Sequence, residues 1–442
     1  MFSTIVDYFT LFVSTYFALT TIKKIGLSSR YIIYYFFFII MVIPLYLDYI
    51  VGKPVYTAWL LGSKNYGFIL SYDDGLSRFM YDIFILLFQS IILFFKVDKE
   101  QEYFFASQKK MSVINLTDKT KKGIFGLFVF LSIIPVLLTI ILPISNKILY
   151  SWGWRELGLY DAENSPYYYH LEKLSYIGCA SALLLLLTPV KDFNISGGKR
   201  RLILKKIKPL WIFLTYLNIC IESKRSILIF CMAIIVTFLI DYIPREKMFF
   251  VLLFSFLALF IVVILGVFVK ITFRSYSEID ALYTALRIDY FRDDTMKMLI
   301  YSLFHPNEIQ VLEYPFQSYL MQIGYIFPLD LLGTPRIGYN RFFTCALLNQ
   351  PLSSGASYTT TSMYDELVAN FGLFGFIIAP IFSVWVAKIA DKYSSIVKTM
   401  IIAGYVLLVM YSLNYIMWFL QIVVLILFIS KFKLKFGDRY LF

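Results

Sequence analysis

Residues 248–269 read MFFVLLFSFLALFIVVILGVFV. The stretch holds no charged residue, and Ser255 is its one hydroxyl. As a helix it would be about 33 Å long, enough to cross the roughly 30 Å hydrocarbon layer of a bilayer. Comparable runs lie at about 4–21, 31–51, 79–95, 123–143, 174–190, 209–222, 226–243, 366–387, 399–412 and 415–430. The expected count is therefore about 11 transmembrane helices, with a range of 10–13. The whole chain is in keeping: of its 442 residues 59% are hydrophobic and 16% charged, against roughly 45–50% and 25% in soluble proteins. That composition excludes a soluble enzyme, a disulfide-stapled secreted domain and a disordered chain. Continuous apolar runs also disfavour an outer-membrane barrel, whose strands alternate. The expected fold is an all-α polytopic membrane protein, with residues 1–442 as one integral membrane domain.

The first span carries Asp7, lacks a basic leader and is followed by Lys23 and Lys24, which reads as a retained span, not a cleaved signal peptide. Net charge is +12. With the amino terminus outside, 26 of the 41 basic residues fall in inside loops and 15 outside, as the positive-inside rule requires. The cluster Lys199-Arg200-Arg201 with Lys205 and Lys206 is then an orientation signal, and no nucleic-acid partner is expected. Cys179, Cys220, Cys231 and Cys345 form no C-x-x-C pair, and His170 and His305 are the only histidines. Neither a disulfide framework nor a metal cluster is expected. No phosphate-binding loop, dinucleotide fingerprint or H-E-x-x-H occurs, so no cofactor is expected.

Residues 270–365 break the pattern as one large external loop. Five prolines, from Pro306 to Pro351, oppose continuous spanning helices, and structured loops of this length are usually functional. Around it lie four candidate groups. Ser223-Lys224-Arg225 opens a span with almost no loop, where Arg225 suits a phosphate at headgroup depth; the plainer reading is a snorkelling anchor. The stretch 287–297 holds Arg287, Asp289, Arg292, Asp293 and Lys297, at spacings that serve either phosphate and proton chemistry or ordinary helix salt bridges. Arg336 and Arg341 flank a Gly/Pro turn after Phe327-Pro328. Thr360, Tyr364 and Glu366 mix hydroxyl, ring and carboxylate as sugar binding needs, although the hydroxyl run can equally cap a helix. His305 is a candidate general base. His170 and the external pair Asp73-Asp74 are weaker candidates.

These pieces, in this order, resemble bacterial Wzy-type O-antigen and oligosaccharide repeat-unit polymerases, including the enterobacterial common antigen polymerases. The resemblance covers roughly residues 205–390. It rests on Ser223-Lys224-Arg225-Ser226, Arg292-Asp293, Phe327-Pro328 with Thr334-Pro335-Arg336, and the hydroxyl-rich run into 359–375. The catalytic histidine of the related O-antigen ligases has no matching setting here. The resemblance implies a GT-C-like glycosyltransferase at the outer face of a bacterial inner membrane. It would move a growing glycan from undecaprenyl pyrophosphate onto a lipid-linked repeat unit, without metal, beside a possible chain-length regulator. On that reading Arg225, Arg292 and Arg336 hold the pyrophosphate, with Arg287 and Arg341 in reserve. Asp289, Asp293 or His305 accepts the proton. The rivals are an O-antigen ligase, a membrane acyltransferase and a non-enzymatic lipid-linked oligosaccharide flippase. A flippase would carry charges inside its helix bundle.

Overall fold

The computed structural model describes residues 2–26, 28–50, 66–95, 118–141, 168–188, 207–222, 227–242, 291–326, 337–354, 359–393, 395–411, 435–436 and 439–440. They are helical, apart from connections and a short antiparallel pair, Lys435–Phe436 with Arg439–Tyr440. In chain order the helices are α1 (Phe2–Ile25), α2 (Ser29–Ile50), α3 (Tyr66–Asp73), α4 (Gly75–Phe94), α5 (Asp118–Ile141), α6 (Tyr168–Leu187), α7 (Lys208–Glu222), α8 (Ile227–Tyr242), α9 (Asp293–Phe304), α10 (Gln317–Ile326), α11 (Tyr339–Leu347), α12 (Met363–Asp391) and α13 (Ser395–Tyr411). Nine of the eleven expected spans coincide with described helices; 248–269 and 415–430 lie outside the described residues. Among the described helices, α2, α4 and α12 are long and apolar enough to cross a membrane.

The faces of α1 identify its surroundings. Asp7, Thr10, Ser14 and Thr21 are buried, whereas Phe9, Phe12, Tyr16 and Leu19 are exposed. A soluble helix has the opposite pattern. α12 likewise exposes Ile377, Ile381 and Trp385 while burying Ser383. Polar-in, apolar-out faces belong to a membrane-embedded protein, in which lipid solvates the outside and packing and internal hydrogen bonds hold the inside.

Two packed groups make the bundle. The main one joins α1, α2, α3, α4, α8, α9, α11, α12 and α13. Its centre stacks Phe37 on Phe88 at 3.7 Å and sets Tyr364 edge-on to Phe37 and Phe88. Such pairs contribute about 0.5–1.5 kcal/mol each. The second group is α5, α6 and α7. Asn218 of α7 donates to Ser132 O at 3.1 Å, and a side chain at Gly178 of α6 would strike that same Asn218. All four cysteines are buried, and none forms a disulfide.

Local chemistry places the helix ends. Asp74 caps α4 by accepting from Ser77 N at 2.8 Å, so this half of the Asp73-Asp74 pair serves a helix start. Ser362 and Asp365 form a capping box at the start of α12. Gly372, at φ 59°, breaks α12 into two segments, and Gly375 brings the second so close to Val368 that a Cβ would lie 2.6 Å from its Cα. In α2, Phe38–Val42 widens into a π-turn. Such turns free backbone carbonyls for outside donors; here Ile40 O takes Arg292 N at 3.1 Å and Met41 O takes the Tyr81 hydroxyl at 2.7 Å.

Candidate functional site

The start of α1, the end of α2, α3 and the start of α4 meet at one end of the main bundle. The first half of α9 packs against α3 and α4 there. This end is the one expected to face outward. A cavity of about 300 Å³ opens between these helices. Asp7, Asp48, Arg78 and Lys297 line it together with Tyr49, Tyr72 and Tyr81.

Its charges are arranged in two groups. On one side Asp7 takes the Tyr49 hydroxyl at 2.6 Å and pairs with Arg78. On the other, Lys297, only 2% exposed, holds Asp293 at 2.9 Å and Asp48 at 3.5 Å. Its ammonium also lies 4.4 Å from the centre of the Tyr72 ring and 5.1 Å from that of Tyr81, within cation–π range. Tyr72 in turn donates to Asp48 at 3.0 Å. A turn deeper on α4 stands Asp82, 1% exposed. Four carboxylates thus face two cations. Such a site favours hydroxyl donors and cations over anions, and the tyrosine rings offer the flat apolar faces that sugars stack on.

The cavity gathers some of the residues expected from sequence and excludes others. Asp293 is present as the partner of Lys297. Arg292 is not available to a pyrophosphate: 2% exposed, it donates through Nε and Nη2 to Met410 O at 3.3 and 3.2 Å and through Nη1 to Phe291 O. It ties α9 to α2 and α13, because a π-turn carbonyl and a helix-end carbonyl both need donors. Arg341 is likewise committed, donating from Nε to Leu352 O at 3.0 Å. His305 ends α9, its ring stacked on Tyr301 at 4.2 Å. Asp293 starts the same helix, about 18 Å away at 1.5 Å per residue. Of these two alternatives for the base, Asp293 is therefore the one beside the cavity, and His305 stands at the far end of α9. Arg225, Arg287, Asp289 and Arg336 lie outside the described residues, as do Lys224 and the 327–336 turn.

The sugar-binding expectations resolve differently. Tyr364 is buried in the aromatic core, its hydroxyl 2.6 Å from that of Tyr405; it packs the bundle and presents no face to a ligand. Glu366 is buried too, accepting from Ser318 Oγ at 3.1 Å and from Gln322 Nε2. Asn370 completes this network by donating to Ser318 Oγ at 2.7 Å. The network ties α10 to α12. Burial, with Asp365 and Glu366 nearby, holds the phenol of Tyr339 well above its ordinary range, and burial beside Glu366 does the same for Tyr319. Both remain protonated at neutral pH. Thr360 is half-buried on the approach to Ser362.

Asp7, Asp48, Arg78 and Asp82 were not among the residues expected to act. Their signal was present in the sequence: a charge inside an apolar run is costly enough to be functional by default. Their convergence was not, since they come from three separate helices.

No family model matches this chain, and no curated protein or solved structure does so either.

Proposed function

We propose that the protein is a membrane glycosyltransferase of the repeat-unit polymerase kind, of GT-C-like architecture with about 11 spans. It would use undecaprenyl-pyrophosphate-linked oligosaccharide at the outer face of a bacterial inner membrane. The observation that carries this reading is the cavity. It lies at the end that the loop charges lead one to expect outside, and it combines carboxylates, tyrosine rings and two neutralised cations, the donor set a saccharide needs. The acceptor hydroxyl attacks the anomeric carbon of the donor glycan, and the carrier pyrophosphate leaves. Asp48 lines the cavity and Asp293 adjoins it across Lys297; these two are the carboxylates placed to receive the hydroxyl proton, an effect worth roughly 10²–10⁴-fold. The two cations of the cavity are already paired with carboxylates, so the pyrophosphate is left to Arg225, Arg287 and Arg336. Arg292 and Arg341 drop out of the set.

The test is Asp48→Asn and Arg225→Ala in cells, reading the glycan products and the side of the membrane on which lipid-linked repeats collect. The polymerase reading expects single repeats outside and no long chains in either variant. Normal long chains in both variants overturn it.

One observation favours a second reading. Asp7, Asp82, Asp293 and Lys297 are buried within the bundle and Arg78 is half-buried, where a flippase would need charges. Repeats trapped on the cytoplasmic side in the Asp48→Asn cells would establish that alternative.

A further inference from the structure

Arg78 is the half-buried charge of the cavity, and most of its hydrogen-bonding capacity is unspent. It sits one turn into α4, past the Asp74 cap, and lines the cavity with its side chain 24% exposed. A guanidinium carries five N–H donors in a flat fork. Among the described residues, Arg78 donates from Nη2 to Asp7 Oδ2 and makes no other hydrogen bond. Asp7 is more deeply buried, its side chain 5% exposed, and takes the Tyr49 hydroxyl on the same oxygen at 2.6 Å. Tyr49 of α2 thus steadies the carboxylate of α1, and that carboxylate steadies one corner of the guanidinium. The remaining donors are left to the cavity. Lys297 differs. It is 2% exposed, and its ammonium is committed to Asp293, Asp48 and the Tyr72 hydroxyl.

The pairing with Asp7 decides what those donors suit. It offsets much of the arginine's pull on an anion and leaves the other N–H groups in place. Neutral oxygens are the acceptors that such a group serves. Hydroxyls on neighbouring ring carbons of a sugar present two oxygens to one fork, as a carboxylate does. Their protons need acceptors in turn, and Asp48 lines the same cavity. We propose that Arg78, positioned by Asp7, binds the acceptor repeat through two adjacent hydroxyls of a neutral sugar residue and so selects for such a residue. This inference rests on the glycosyltransferase reading and names the substrate class of its cavity.

The experiment measures elongation by the purified full-length protein, with lipid-linked repeats extracted from Asp48→Asn cells as the probe. Arg78→Lys keeps the ion pair with Asp7 and loses the fork. It should raise KM for the repeat about tenfold, with kcat little changed and Tm as in the wild type. The double variant Asp7→Asn/Arg78→Gln removes both charges at once, and so strands neither if Arg78→Lys fails to fold. Its KM should also rise, and the ratio to the wild-type KM should be the same at low and high salt. A ratio that shrinks with salt marks an anionic group on Arg78 and overturns the proposal. A wild-type KM in Arg78→Lys, with Asp48→Asn inactive, overturns it and leaves the glycosyltransferase reading standing. If Asp48→Asn cells make normal long chains and collect no repeats, that reading falls and this inference falls with it.

Discussion

The two ends of the main bundle handle charge in different ways. At the end where α1 stops and α2 begins, the charges of Arg30, Asp391, Lys398 and Lys24 close gaps in the backbone or contacts between helices. Arg30 donates to Ile92 O and, at 3.2 Å, to Phe95 O. Asp391 accepts from Ser29 N and Oγ and pairs with Lys398 at 3.4 Å. Lys24 lies 3.8 Å over the Phe94 ring. At the other end the charges gather around a cavity, carboxylates outnumber cations, and Asp82 is buried beside it without an ion pair. Closing a helix end satisfies groups that must be satisfied anyway. Holding surplus charge open is costly, and such cost is tolerated where a ligand recovers it.

Substitutions at the two ends test that contrast. The largest effect is expected from Lys297→Met, which strands Asp293 and Asp48. It should cost about 3–5 kcal/mol and abolish glycan elongation. Adding Asp293→Asn should recover much of the Tm but none of the activity. Recovery of both would mean that Lys297 serves only to balance charge. At the closed end Arg30→Ala should cost about 2–3 kcal/mol through two orphaned carbonyls, seen as a lower Tm. Activity per folded molecule should hold; its loss would erase the distinction between the ends.

Smaller effects probe the elements that frame the cavity. Ser362→Ala removes the capping box of α12 and should lower stability by about 0.5–2 kcal/mol, read from thermal unfolding. The smallest concerns Tyr339. Its phenol is held above the ordinary value in the fold, so the folded state retains a proton that the unfolded chain gives up near pH 10. Stability linked to it is complete below that pH and falls above it. Tyr339→Phe should change Tm little at pH 7 and flatten its decline above pH 10. An unchanged alkaline decline would assign it to other groups, Tyr319 first.

Much of this was legible along the chain. The spans came from length and apolarity, and helices stand at nine of them. Asp293 and Lys297 were readable as i, i+4 partners, and the Thr359–Ser362 run as a helix cap. The roles of Arg292, Tyr364 and Glu366 were not. An arginine beside an aspartate looks alike whether it meets a phosphate or a carbonyl on another helix, and only packing decides between them. The 293–304 segment shows the same limit. Read as part of an external loop, it is a buried helix whose Met296, Met298 and Ile300 join the core.

By itself, then, the sequence determined that the chain is helical and belongs in a membrane, because continuous apolar runs are a property of local composition. It also carries an expected orientation, because loop charges are counted without knowing how the helices meet. The tertiary structure alone decided which charges became internal ties and which came to face a cavity. Asp7, Asp48, Arg78, Asp82 and Lys297 span nearly three hundred positions of the chain, and their chemistry depends on distances of a few ångströms between helices. Nothing in the local sequence encodes those distances.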